Sequence, residues 1–574
     1  MHINMHINFL PKQLFAVATL ILANNVVHAG NAVTPDAGQI LNEIERNEKF
    51  LFPDADSQQN IKPKTEKEAD DTPRIEVKSF SFKGNQELTG EQINEFLNNF
   101  VGKSVTVSEL RSIASKLADF YRYNGFIALV TLPDQDVTAG SVQLNIQEAS
   151  YGGTEITTEN GQSKVKESLI SKIMGFRMQD KKLNLKEVDR RILLINDLPG
   201  ITAQSSLAPG DNEGETKVNL VVKNSKPFVG SGVVLDNYGS RATGRARAVA
   251  NLNINSPFGI GDQIRLTALK SEGVNYGRFD YSLPLGASGL TMGANLSYLE
   301  YDVIPDEFKS TDPNGYSTIL GLTANYPWIR SQDLNLNAFA EFDNRSFKNK
   351  NNTGTQSDYD VQALSLGFRG NFIDALALSG AINRYELSLT SGDVDLGGSP
   401  NKVSDAAGAN TQDGFTKLYA NLSREQYINS EWSLYGRLIT QWADRNLDSS
   451  EKIYLGGPNG VRAYPVSEGA GSQGYIANFE IRRALPQNLT LTGFYDIGHA
   501  KQYVTNYPTV NADPNGYTLK GYGLSLAWNG PQNSYFSVAV AKRIGENPNR
   551  TTTDKDLDGS HKDNFMWVRG GITF

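Results

Sequence analysis

Residues 489–498 read LTLTGFYDIG. Strict alternation sorts them into two faces: Leu489, Leu491, Tyr495 and Ile497 on one, Thr490, Thr492, Phe494, Asp496 and Gly498 on the other. A strand whose apolar face meets lipid turns the second face into an enclosed interior, and Asp496 with it. A lone carboxylate in such a place needs a cation. Just upstream lies a long Gly-rich stretch, 455–475, LGGPNGVRAYPVSEGAGSQGY, whose first half carries one charged residue, Arg462. A guanidinium on a flexible loop of this length can reach the carboxylate and bind it bidentately.

The same texture extends both ways from this strand. From Val229 to Phe574, segments of about 10–15 residues alternate apolar and polar and are rich in Tyr, Phe, Leu, Val and Gly. They number about 16, an even count within the range of single-chain outer-membrane barrels. Turns after even-numbered segments are short, as at 329–331, 486–487 and 529–533. Connections after odd-numbered segments are long from the third onward, over 302–316, 348–358, 390–413, 447–473, 503–516 and 545–562. Short periplasmic turns and long outer loops are the pattern of such barrels, so the Arg462 loop is the sixth outer connection. The ninth strand is expected over 375–389. Trp328, Trp442, Trp528 and Trp567, near strand ends, read as interfacial girdles. The last strand ends on Phe574, with Met566, Val568, Gly570 and Ile572 on the same face.

The bulk numbers agree with this class. The 574 residues hold 53 Gly, 24 Tyr and 26 Phe, yet mean hydropathy is only −0.40. Helical membrane spans need about 20 consecutive apolar residues and are excluded, whereas half-apolar strands average out as polar. A net charge of −8 gives no basis for a nucleic-acid partner. Cys is absent, which excludes disulfides and thiolate metal sites, and five His leave little for a metal or catalytic cluster. No cofactor and no catalytic constellation are expected, so the chain does not read as an enzyme. Asp554–Gly559, DKDLDG, matches the start of a calcium loop, but its twelfth position is Phe565, so it reads as a solvated outer loop.

Ahead of the barrel the chain divides into five parts. Residues 1–29 form a secretory signal peptide: Lys12, the apolar run 14–23, and small residues before cleavage at Ala29. Residues 30–50 contain a helix over 35–48, PDAGQILNEIERNE, with Ile40, Leu41 and Ile44 on one stripe of an otherwise polar surface. Residues 51–73, rich in Pro and charge, read as a flexible linker. Residues 74–149 and 150–226 each read strand, helix, helix, strand, strand, a repeat of about 75 residues. Each module offers a strand edge to which an extended chain can add. The barrel follows over 227–574.

This constellation resembles the TpsB transporters of two-partner secretion, the haemolysin-activator and filamentous-haemagglutinin-transporter type within the POTRA-barrel superfamily of the outer membrane. Val461-Arg462-Ala463-Tyr464 resembles the family's loop-6 motif V-R-G-Y, with Ala at the third position. Gly493–Gly498, GFYDIG, resembles its partner motif on the thirteenth strand, which assigns roles to Gly493, Phe494, Asp496 and Gly498. Residues 35–45 look like its plug helix, and 236–244, DNYGSRATG, like its first hairpin. The resemblance implies an α+β periplasmic part of two POTRA modules and a 16-stranded antiparallel transmembrane barrel. It also implies a monomer in a bilayer bearing lipopolysaccharide. The partner it implies is a large secreted TpsA-type exoprotein (adhesin, haemolysin or contact-dependent toxin), received by the POTRA modules and exported without nucleotide. No G-x-x-x-x-G-K-[ST] phosphate loop is present. The alternative is an outer-membrane insertase of the same superfamily, which usually has more periplasmic modules and no plug helix. A passive porin would lack the roughly 150 residues of repeat before the barrel.

Overall fold

The computed structural model describes residues 34–48, 74–159, 161–178, 181–224, 227–506, 515–551 and 553–574. The expected signal peptide and linker lie outside them.

The first described element is helix α1 (Ala37–Glu48). The two modules follow. In the first, Thr89 caps α2 (Gly90–Asn98) and Thr106 caps α3 (Val107–Tyr123), each in a capping box completed by Gln92 or Glu109. Ile93, Leu97, Leu110, Ile113, Leu117 and Tyr121 form the buried stripe that 3–4 spacing requires. In the second, α4 (Glu167–Gly175) and α5 (Leu185–Asn196) pack on the sheet, and Asn184 caps α5. The apolar periodicity of residues 163–174 predicts a helix that starts at Ser163, but α4 starts four residues later, at Glu167. Asn224 accepts from the Lys164 backbone N–H and the Gly259 carbonyl from that of Lys166, which ties this stretch to its neighbours ahead of the helix.

The sheets repeat one topology. Ser79–Lys83 runs parallel to Ser141–Glu148, which pairs antiparallel with Ala128–Thr131. Ser150–Glu159 likewise runs parallel to Glu215–Lys223, which pairs antiparallel with Thr202–Pro209. Outer strands of both sheets leave edges, with Leu129 and Leu207 exposed along them.

Sixteen antiparallel strands then close into a barrel. The first eight are Val229–Asp236, Arg247–Asn255, Gln263–Lys270, Val274–Pro284, Thr291–Asp302, Asn314–Arg330, Leu334–Asn351 and Gly354–Asp374. The last eight are Ala381–Asp395, Asp413–Tyr427, Trp432–Ala443, Gln473–Leu485, Leu489–Lys501, Gly516–Asn529, Ser534–Arg543 and Asn564–Thr573. Closure runs from Arg569 opposite Asp236 to Thr573 opposite Gly232. Burial alternates as the pleat demands: on the eighth strand Tyr359, Val361 and Ala363 face in, while Leu364, Leu366 and Phe368 face out.

The ninth strand begins at Ala381, six residues later than 375–389 would place it. Residues 375–380, ALALSG, alternate like a strand, but Leu378 (φ 53°) and Gly380 (φ 87°) sit in the left-handed region and make a turn. Its leucines are exposed.

The second module is fixed to the barrel's inner rim. Arg190 donates to the carbonyls of Pro327 (2.6 Å) and Trp328 (3.3 Å), and Arg330 forms a bidentate pair with Asp197 (2.9 and 2.8 Å).

Candidate functional site

Two segments fill the barrel. The 447–473 connection between the eleventh and twelfth strands turns back into the lumen. Ile453–Tyr454 pairs with Ala470–Gly471 to make a short hairpin whose tip carries Val461, Arg462, Ala463 and Tyr464. Leu455, Val461, Ala463 and Tyr464 are fully buried against the wall of strands eleven to fifteen.

Arg462 is the centre of this packing. Its Nε donates to Asp496 Oδ2 (2.9 Å), its Nη2 to Oδ1 (2.7 Å), and its backbone N–H to Oδ2 (3.1 Å). Nη1 donates to Glu480 Oε1 at 2.8 Å. The guanidinium lies 3.6 Å from the centroid of the Phe494 ring. Register explains the set: Asn478 and Glu480 on the twelfth strand lie directly opposite Asp496 and Phe494 on the thirteenth, all facing in. Asn478 bridges the two, donating to Asp496 Oδ1 (2.8 Å) and to the Gly460 carbonyl (2.9 Å). Asp496 thus accepts from four donors at 0% exposure, which replaces the water it lost.

The wall is cut away where the tip meets it. A Cβ on Gly521 would stand 2.4 Å from the Ala463 Cβ, and one on Gly498 would stand 3.0 Å from Val461 Cγ2. Gly493 has only Leu524 nearby, on the outer face. Ala463 is not among the residues with positive φ, so this position does not require the Gly of the V-R-G-Y pattern.

Other contacts of the loop are illegible in motif spacing. Arg543 donates Nε to the Ala463 carbonyl (3.1 Å), stacks 4.4 Å from the Tyr464 ring, and forms a bidentate pair with Asp556. Asp556 is fully buried, so DKDLDG is in part a lumen-facing anchor, a correction of its reading as a solvated loop. Glu468 accepts from Asn547 (2.9 Å) and from the Leu557 backbone (3.0 Å). Burial, beside Asp556, pushes its carboxyl up to about 8. Trp567 is no girdle residue. It shares inward parity with Phe565 and Arg569, is 5% exposed, and donates Nε1 to the Arg462 carbonyl at 2.7 Å. Trp328, Trp442 and Trp528 do face outward. The strand parity of Glu480, Arg543 and Trp567 was available in the sequence; their convergence on one loop was not.

Helix α1 occupies the other half of the lumen. Ile40, Leu41 and Ile44, each at most 3% exposed, pack against Leu299, Tyr301, Phe347 and Val361 of the wall. Its polar face meets the loop. Asn42 donates to the Ser450 carbonyl (2.7 Å), Arg46 to those of Tyr454 and Gly456, and Asn459 to Asn47 (2.6 Å). Asp36 accepts from Ser449 (2.8 Å) and Glu43 from Ser467 (3.0 Å). A Cβ on Gly38 would lie 2.7 Å from Ser449 Oγ and 3.1 Å from the Ser450 backbone nitrogen, so glycine lets the helix approach the loop closely here. Burial raises the Glu43 carboxyl to about 7, against the opposing pull of Arg247, Ser467 and Arg46. No group of three or more potential metal ligands exists among the described residues.

Comparison with known proteins places this architecture. Residues 75–149 match the POTRA domain of ShlB type. The chain is 27% identical over 501 residues to the heme/hemopexin transporter protein HuxB of Haemophilus influenzae (strain 86-028NP), covering 86% of each. It is 23% identical over 399 residues to the hemolysin transporter protein ShlB of Serratia marcescens, covering 68% of each. Among solved structures it resembles CdiB from Escherichia coli, with a TM-score of 0.72 at 18% identity over 94% of this chain and all of that one. It also resembles CdiB from Acinetobacter baumannii, with a TM-score of 0.63 at 16% identity over 93% and 97%. These likenesses establish the fold: a barrel of the outer membrane with its POTRA part in the periplasm. Residues 214–526, more than half of the chain, match the haemolysin secretion/activation protein family ShlB/FhaC/HecB, and the chain belongs to that family of two-partner secretion transporters.

Proposed function

We propose that this protein exports a large partner exoprotein from the periplasm through its barrel to the cell surface, without nucleotide. The POTRA modules receive an extended segment of the partner, which adds to a free strand edge through backbone hydrogen bonds. The chain then passes through the lumen once α1 and the 447–473 loop no longer obstruct it. Folding of the partner outside withdraws the unfolded chain from the pore by mass action and supplies the direction.

The observation that carries this reading is the nature of the obstruction. The lumen is filled by two segments held through hydrogen bonds and ion pairs to each other and to the wall. Of these, α1 has no strand ladder to the barrel. Such a filling can leave while the sixteen strands keep their ladders. A passive channel has no use for a removable helix joined in the chain to two binding modules. The Arg462–Asp496 pair anchors the loop in the lumen between export events.

The test is co-expression of the transporter with a candidate partner exoprotein, scored as exoprotein in the medium. Export that persists after both modules, residues 74–226, are removed from a correctly inserted barrel would refute reception by the modules. Export that needs the transporter but is unaffected by locking α1 to the loop with a disulfide would refute passage through the lumen.

A further inference from the structure

At the meeting point of the two modules and the barrel's inner rim lies a cavity of about 920 Å³, well away from the lumen site. Its wall is strongly basic: Arg177, Lys181, Lys182, Arg190 and Arg191 against two carboxylates, Glu87 and Glu187. Only Arg191 has a carboxylate partner, Glu187 at 2.9 Å; the other four have none within ion-pair distance among the described residues. Arg177 and Arg191 both lie about 5 Å from the Phe176 ring, at 5.2 and 5.0 Å, so two guanidiniums gather at one aromatic ring. Arg191 is 3% exposed, and its Nε has no hydrogen-bond partner. Burial and the neighbouring Arg190 and Arg177 depress its pKa, offset in part by Glu187. Like charges packed this closely, one of them buried with an unused donor, are stabilised by an anion between them.

The position selects the anion. Tyr326 and Trp328 complete the cavity wall from the barrel side. Trp328 is 60% exposed and packs on outward-facing Phe368 with ring centroids 5.9 Å apart, which puts it at the girdle where the barrel leaves the lipid. The cavity therefore opens at headgroup level on the periplasmic side. We infer that it is a binding site for the phosphate-bearing headgroup of an anionic phospholipid of the inner leaflet. Arg177 and Lys181 bind the phosphate from the open side, Arg191 supplies the buried donor, and Trp328 lies along the acyl region. A lipid seated there touches the second module and the barrel rim at once and braces the junction that Arg190 and Arg330 make directly.

The full-length transporter, purified in neutral detergent, is titrated with short-chain phosphatidylglycerol and, separately, phosphatidylcholine, and bound lipid is counted by native mass spectrometry. Phosphatidylglycerol should be retained at least tenfold better than phosphatidylcholine. The Arg177→Ser, Lys181→Ser double variant, altered only at exposed positions, should lose that preference. Equal retention of the two lipids, or wild-type retention by the double variant, would overturn the assignment. Displacement of phosphatidylglycerol by equimolar inorganic phosphate would overturn the lipid source in favour of a free anion. Displacement by an equimolar oligoglutamate peptide would overturn it in favour of an acidic chain.

Discussion

Arg462 and Asp496 meet through three hydrogen bonds of 2.7 to 3.1 Å, two from the guanidinium and one from the Arg462 backbone, with Asp496 wholly buried. A solvated ion pair is worth about 0–1 kcal/mol, but removing one partner of a buried pair costs about 3–5 kcal/mol because the other charge stays behind unpaired. Arg462→Ala leaves Asp496 and Glu480 together without their shared cation. Loss of exported partner by at least tenfold is expected, while the amount of heat-modifiable, folded barrel stays near wild type. Arg462→Lys should restore only part of the export, since a point charge cannot reproduce the bidentate contact. Wild-type export by Arg462→Ala would show that the pair has no anchoring role.

Gly521 provides an independent test of where the tip sits. Because an added Cβ would stand 2.4 Å from that of Ala463, Gly521→Val must push the tip off the wall. Overpacking of this kind costs about 1–3 kcal/mol. The expected readout is cleavage of the 447–473 loop by protease added to intact cells, with the wild-type loop resistant. The companion change Ala463→Gly should leave the loop protected and partly rescue Gly521→Val.

Removing α1 should open the lumen. The helix buries Ile40, Leu41 and Ile44 together with Ala37 against the wall. Deletion of residues 35–48 is predicted to raise single-channel conductance in planar bilayers severalfold. Ile44→Asp, which places an unpaired carboxylate in the same apolar contact, should act in the same direction through frequent openings. Unchanged conductance in the deletion would exclude the helix as an obstruction.

The filling should also respond to pH. Glu43 on α1, a helix that itself crosses no lipid, has its carboxyl raised from 4.5 to about 7 by burial. A raised carboxyl pKa means that the docked helix holds a proton which the released helix gives up. Docking therefore strengthens as pH falls through 7, reaches its full gain below about 4.5, and is weakest above 7, where a charged carboxylate must be buried. Glu468 on the loop behaves in the same sense up to about 8. Conductance is predicted to rise from pH 5 to pH 8.5. The Glu43→Gln, Glu468→Gln double variant should be nearly flat over that range.

Much of this molecule is written in local periodicity. A side-chain period of two is set by the pleat, so strand number and the inward parity of Phe494, Asp496 and Gly498 follow from adjacent residues alone. Helix caps at Thr89 and the apolar stripe of Ile40, Leu41 and Ile44 are equally local, because each depends on neighbours three or four residues away. The turn at 375–380 was hidden because Ala-Leu-Ala-Leu reads as strand by parity, while the left-handed backbone at Leu378 and Gly380 is chosen by the hairpin. Only closure of the barrel could bring Arg543, Asp556 and Trp567 from its last strands and last loop onto a hairpin some 80 to 105 residues upstream. Such contacts obey no sequence period, since they are made across a lumen whose geometry exists only after all sixteen strands have joined.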